Sequence, residues 1–254
     1  MFMRIWRIVL CLAISIFVSG CGDDNVTESK LIKKTLIMGT MADFPPFEFI
    51  KDKKVRGFDI DLAHIIAKKL GYSVYIKNMD LHDLIPALRT GKVDFVMSGL
   101  TATPERKELV DFSIQYYTPQ FAMLYRRDKP IKSYRDIDNS IIGVSLGSTM
   151  ESFLNKQKDL NVISNVTLVP LVRSSAAVQE LKLGRLDGVF LEEAQAKIYM
   201  NRHNDMEYTL FPSGGQGYAV AFPKGAELLD QFNEVLISLR DSGELDSLKE
   251  KWLF

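Results

Sequence analysis

Arg106 is the residue of this chain best suited to hold a carboxylate, because its planar guanidinium offers paired N–H donors that lysine lacks. It closes the segment Ser98-Gly99-Leu100-Thr101-Ala102-Thr103-Pro104-Glu105-Arg106, which follows an apolar run at 93–97. The hydroxyls of Ser98 and Thr101 and the free backbone at Gly99 would gather where a buried strand ends, the usual place for ligands in α/β sheets. A second set of donors is offered by Gly147-Ser148-Thr149, where a helix start would present backbone N–H groups and a positive dipole end to an anion. Ser148 equally suits a plain N-cap, and the two roles are compatible.

Other chemistries have partial signatures. Gly143-Val144-Ser145-Leu146-Gly147 is a literal G-x-S-x-G after a strand and before a helix, with Asp187 or Glu192 and then His203 downstream in the hydrolase order. Five-residue matches of this form arise by chance, and His203 sits in Asn201-Arg202-His203-Asn204-Asp205, which reads as an exposed polar loop. His64, His82 and His203 stand apart, without an H-E-x-x-H spacing, so neither a metal centre nor a cofactor is expected.

These residues need a frame. From Thr35 the chain alternates short apolar runs with amphipathic stretches, the pattern of an α/β protein. Strands are expected at 36–38, 74–77, 93–97, 141–144, 167–171 and 188–191. Helices are expected at 59–70, 80–90, 174–183 and 228–238, with another opening after Thr149 and a short last one ending at Trp252. The clearest is 59–70, where Ile60, Ala63, Ile65, Ile66 and Ala67 gather on one side and Gly71 follows as a stop. Phe44-Pro45-Pro46-Phe47-Glu48-Phe49 reads as a turn and extended chain, since proline fixes φ and disfavours helix in the residue before it. Two β/α sets of similar size follow one another, with crossings between them expected at 121–125 and 217–222.

Residues 1–20 differ from the rest. Arg4 and Arg7 precede an apolar run that is shorter than the roughly 20 residues of a membrane span, which is a signal-peptide profile. It ends in Val18-Ser19-Gly20-Cys21, which resembles the lipobox of bacterial lipoproteins and implies cleavage before a lipidated Cys21. Cys11 would leave with the signal, so neither of the 2 cysteines would serve as a disulfide, a metal ligand or a nucleophile. The polar stretch 21–34 reads as a tether. With 254 residues, 46% of them hydrophobic, and 32 basic against 32 acidic side chains, the chain has a substantial core and a charge balance that argues against a nucleic-acid partner.

Five segments occur in a telling order. They are Phe44-Pro45-Pro46-Phe47-Glu48-Phe49 with Gly57-Phe58-Asp59-Ile60-Asp61-Leu62, the Ser98 to Arg106 run with Asp111-Phe112-Ser113, Gly143-Val144-Ser145-Leu146-Gly147-Ser148-Thr149, Gly184-Arg185-Leu186-Asp187-Gly188-Val189, and Gly217-Tyr218-Ala219-Val220-Ala221. Together they resemble the successive signatures of the amino-acid-binding proteins of bacterial ABC importers. The resemblance implies a two-lobed, periplasmic-binding-protein-like α/β fold of type II, with lobe 1 at 31–122 and 220–254, lobe 2 at 123–219, and hinge strands near 121–125 and 217–222. It implies that Arg106 takes the ligand carboxylate, that Ser98, Gly99 and Thr101 receive the ammonium and part of the carboxylate, and that Ser148 and Thr149 add donors from lobe 2. Phe44 would stack on the ligand and Glu192 would pair with its ammonium.

The chain departs from the family pattern at three of these places. Glu192 stands where aspartate is commoner, Leu81 where a second aromatic is frequent, and Met41 where binders of basic ligands or glutamine tend to carry an acid. The side-chain end is thereby less charged, although Glu192, Glu193 and Asp43 stay compatible with a basic ligand. The protein so implied is a lipid-anchored monomer, periplasmic or on the outer face of the cell membrane, that captures a polar amino acid of the glutamine or arginine type for an ABC permease and catalyses nothing. Two other readings use the same residues. A periplasmic dehydratase acting on prephenate-like acids would share the fold and use Glu192 or Asp43 as its acid. A sensory lipoprotein would bind the ligand and pass it to no transporter.

Overall fold

The computed structural model describes residues 34–213 and 215–253, so the expected signal segment 1–20, Cys21 and all of the tether but Lys34 lie outside it. The described chain opens with β1 (Thr35–Thr40) and a small antiparallel ribbon of β2 (Asp43–Phe44), β3 (Glu48–Lys51) and β4 (Lys54–Arg56). Next comes α1 (Phe58–Lys69), which buries Ile60, Leu62, Ala63, Ile66 and Ala67 and exposes His64 and Lys68, as its 3.6-residue pattern requires. It is followed by β5 (Ser73–Asn78), α2 (Leu81–Arg89), β6 (Phe95–Val96), α3 (Pro104–Leu109) and β7 (Asp111–Phe112).

A second set contains β8 (Phe121–Arg126), α4 (Tyr134–Ile137), β9 (Ile141–Ser145), α5 (Thr149–Asp159), β10 (Thr167–Leu171), α6 (Ser174–Lys182), β11 (Gly188–Glu192), α7 (Glu193–Arg202) and β12 (Met206–Phe211). The chain then returns through β13 (Ala221–Phe222) and ends in α8 (Leu228–Asp241) and α9 (Glu244–Leu253).

Two five-stranded sheets result. The first runs β5-β1-β6-β13-β7, with β1 parallel to β5 and β6 and with β13 antiparallel to its neighbours. The second runs β10-β9-β11-β8-β12, with β9 parallel to β10 and β11 and with β8 antiparallel to β11 and β12. Because β13 belongs to the first sheet, the chain passes between the sheets twice, once between Phe112 and Phe121 and once between Phe211 and Ala221. Of the segments expected to cross, 121–125 lies inside the second sheet as β8, and in the other Tyr218 bridges to both Thr101 and Tyr117.

The sequence pattern does not reveal α7 and β12. The buried face of α7 carries Ala194, Gln195, Ala196 and Tyr199, too little apolar surface for a clear helical stripe. His203 is the C-cap of α7 and half-buried, whereas Asn201, Arg202, Asn204 and Asp205 around it are exposed as expected, the first two as the last residues of α7 rather than as loop.

Gly57 explains why two motifs thirteen residues apart act together. Its φ of 139° lies outside the range of other residues, and a Cβ there would sit 2.1 Å from the Phe47 carbonyl oxygen. The close approach lets the N–H groups of Phe58 and Asp59 donate to the carbonyls of Pro46 and Phe47, both at 3.0 Å. Glu48 and Asp59 are thereby carried to the loop that follows β6.

Candidate ligand site between the two sheets

The loop after β6 is fixed from below by those two acids. The buried Ser98 hydroxyl accepts from the Met41 N–H and donates to Glu48 Oε1, both at 2.9 Å. The Gly99 N–H donates to Asp59 Oδ2 at 2.8 Å, and the Tyr116 hydroxyl donates to the same oxygen at 2.8 Å. Gly99 has φ 49°, and a Cβ on it would lie 2.6 Å from Phe44 Cε1, so the ring rests directly on the loop backbone.

Arg106 stands in the first turn of α3, where Thr103 is the N-cap and accepts from its N–H at 3.3 Å. One guanidinium nitrogen donates to the Thr101 carbonyl at 3.0 Å, and the other crosses to the Gly147 carbonyl beyond β9 at 3.0 Å. Desolvation pushes the guanidinium down to about 10, which leaves it cationic at neutral pH.

At the start of α5, the Ser148 hydroxyl accepts from the Glu151 N–H at 3.2 Å, and Glu151 reaches back to accept from the Gly147 N–H at 2.7 Å. Gly147 therefore does not offer the free N–H expected of it, since the helix's own acid takes it. The N–H groups of Thr149 and Met150, in the first turn, have no intrahelical acceptor and remain suited to an anion.

Seven of the eight expected ligand-binding residues come together around one cavity: Phe44, Ser98, Gly99, Thr101, Arg106, Ser148 and Thr149. Met41, Leu81, Leu100, Ser145, Met150 and Tyr218 complete a lining around about 370 Å³ of empty space, part of it open to solvent. Tyr218 lies in the motif at 217–221, but its direction toward the cavity follows from its bridges to Thr101 and Tyr117, which pattern reading cannot supply.

Glu192 is the exception. It ends β11 but does not line the cavity; it is completely buried, and the Tyr218 hydroxyl donates to its Oε1 at 2.5 Å. Burial pushes its carboxyl up to about 8, which the bond from Tyr218 only partly offsets. Burial likewise raises Asp59 to about 6 and holds Glu48 well above the usual carboxylate range. Each of the three keeps one buried oxygen without a partner: Glu48 Oε2, Asp59 Oδ1 and Glu192 Oε2. The Asp59 carboxylate adds to the burial that raises Glu48, because like charges so close disfavour joint ionisation.

No hydrolase triad forms. Ser145 ends β9 at the cavity, whereas Asp187 is level with the start of that strand, accepting from the Ile141 N–H at 2.8 Å and from Lys129 at 2.7 Å. His203 lines a different cleft, beside Asp43, Arg173 and Arg202. Nor is Asp43 on the ligand cavity, since its carboxylate accepts from Ser175 at the start of α6. His82 is less isolated than its sequence position implies, with side-chain ligand atoms within 4.8 Å of those of Asp80 and Asp83 on an exposed turn.

Residues 36–254 match the family of bacterial extracellular solute-binding proteins, family 3. The chain belongs to that family. The arginine-binding extracellular protein ArtP of Bacillus subtilis (strain 168) is 39% identical to it, over 98% of this chain and 98% of its own length. An ancestral arginine-binding protein bound to arginine superposes with a TM-score of 0.82 at 40% identity, covering 87% of this chain and 99% of that one. An ancestral arginine-binding protein bound to glutamine does so with a TM-score of 0.81 at 40% identity, covering 87% and 98%. The fold of this family 3 protein is accordingly the two-lobed type II periplasmic-binding-protein fold, each lobe built on one of the sheets described above. Among the described residues, no helix is long and apolar enough to cross a membrane.

Proposed function

We propose that this protein captures a polar amino acid of the glutamine or arginine type outside the cytoplasm and delivers it to an ABC permease. The observation that carries the reading is Arg106, the one charged side chain lining the cavity among the described residues, with its guanidinium directed at both sheets through Thr101 and Gly147. A ligand carboxylate exchanges the Gly147 carbonyl for a charge-assisted, two-pronged pairing, and the N–H groups of Thr149 and Met150 meet it from the second lobe. Phe44 covers the ligand from one side. The ligand ammonium donates to the Tyr218 hydroxyl at the cavity wall, and Glu192, which accepts from that hydroxyl, supports it from behind. A ligand that touches both lobes favours their closed arrangement, which is the state a transporter would recognise.

The protein acts without catalysis. A dehydratase would need Asp43 or Glu192 free over its substrate, but Asp43 is held by Ser175 and Glu192 by Tyr218. The chain works as a monomer, anchored through lipid on Cys21 after removal of 1–20. A thermal-shift screen against the common amino acids tests the reading, since a ligand at a hundred times its Kd adds about 2.7 kcal/mol of stability. A rise with glutamine or arginine and none with simple sugars is expected. Turnover of a prephenate-like acid by the purified protein would replace this reading with the dehydratase.

A further inference from the structure

We propose that the cavity selects a neutral amino-acid tail over a cationic one, so that glutamine binds more tightly than arginine. The inference rests on the amino-acid reading above and decides between the two ligand types that reading leaves open.

No carboxylate lines the cavity among the described residues, and its only charged lining group is the cation Arg106. Once Arg106 has taken the ligand carboxylate, the rest of the wall is Met41, Leu81, Leu100 and Met150, with the neutral hydroxyls of Ser145, Ser148 and Thr149 among them. Hydroxyls can satisfy a side-chain amide, and thioethers adapt to an unbranched tail. A guanidinium, by contrast, loses its hydration and gains no anion, which is costly for any buried charge.

The nearest acids do not repair this. Glu48 is engaged by Ser98, Asp59 by Gly99 and Tyr116, and both carboxyls are shut off from solvent, as is Glu192. Burial raises the Glu48 carboxyl well above its ordinary range and the Glu192 carboxyl to about 8, which disfavours negative charge on either. Glu48, Asp59 and Glu192 each stand behind a lining residue, Ser98, Gly99 and Tyr218 respectively, and Glu192, which comes from the second sheet, is taken up by the ligand ammonium. An arginine would bring two cations to a site that can recruit one anion. Asp43, a further acid of the first lobe, faces another cleft and is already held by Ser175.

Titration calorimetry of the purified full-length protein with L-glutamine and with L-arginine tests this directly. Glutamine is expected to bind at least about tenfold more tightly, a ratio that corresponds to about 1.4 kcal/mol. Arginine binding equal to or tighter than glutamine overturns the selectivity while leaving the amino-acid reading intact. Failure of both to bind overturns that reading, and the selectivity with it. Leu81→Glu gives a second test, because Leu81 is the first residue of α2, where an acid suits the helix dipole. It is expected to shift the ratio toward arginine by about tenfold, and an unchanged ratio in a folded variant contradicts the charge argument.

Discussion

The Asp43 carboxylate, on the ribbon of the first lobe, accepts hydrogen bonds from the backbone N–H and the hydroxyl of Ser175, at 3.2 and 2.9 Å, in the first turn of α6 in the second. The N-cap residue of α6, Arg173, makes no side-chain cap of its own, so the helix is capped by an acid from the opposite lobe. Ser174 strengthens the join by donating to the Asp43 carbonyl at 2.8 Å. These bonds exist only while the lobes are together.

Asp43→Ala therefore weakens ligand binding without touching the ligand, by about fivefold if the latch contributes what a helix cap does, roughly 1 kcal/mol. Asp43→Asn, which keeps an acceptor, retains most of the affinity. Calorimetry on the three proteins checks this, and an Asp43→Ala protein with unaltered affinity shows that the latch does not bias closure.

The buried carboxyl of Glu192 makes stability depend on pH in a particular direction. Its ordinary value of 4.5 rises to about 8 in the folded chain, so between these values the folded state holds a proton that the unfolded state has lost. Stability from this group is full below 4.5, falls as pH rises and is lost through about 8; Asp59 acts the same way between 3.8 and about 6. The ligand-free melting midpoint is expected to be lower at about pH 8.5 than at about pH 5.5, and Glu192→Gln, neutral at both, should reduce the difference. A difference of equal size in the variant would remove Glu192 from this account.

Gly57→Ala should be severe, because Gly57 is buried. The added Cβ would meet the Phe47 carbonyl at 2.1 Å, on a backbone conformation that alanine avoids. Relief means parting α1 from the 44–49 turn, and a loss of more than about 2 kcal/mol is expected from strain of this kind. Denaturant unfolding measures it, and a loss under about 0.5 kcal/mol would show that the turn yields easily.

Legibility in the sequence followed the physics of each element. Strand β10 and helix α6 could be read almost to the residue because apolar runs and a helical stripe mark them, whereas α7 buries mostly small and polar side chains. The seven residues that gather at the cavity stand in motifs after strand ends, where chain position alone fixes direction. Glu192 stands at such an end too, yet its orientation depends on Tyr218, twenty-six residues away on the returning chain. Gly147 differs, because its N–H is taken by Glu151 one helical turn onward, a contact that the Ser148-x-x-Glu151 spacing marks in the sequence. Contacts made across the cleft were the part that pattern could not supply.

The central claim is that Arg106 holds the carboxylate of an amino-acid ligand, and titration calorimetry of Arg106→Ala and Arg106→Lys against the wild type tests it most directly. The account predicts that the alanine protein, folded by circular dichroism and melting, gives no binding heat with either glutamine or arginine. It predicts that lysine restores only a minor part of the affinity, because a point charge cannot reproduce the planar fork. Wild-type affinity in the folded alanine protein would contradict it.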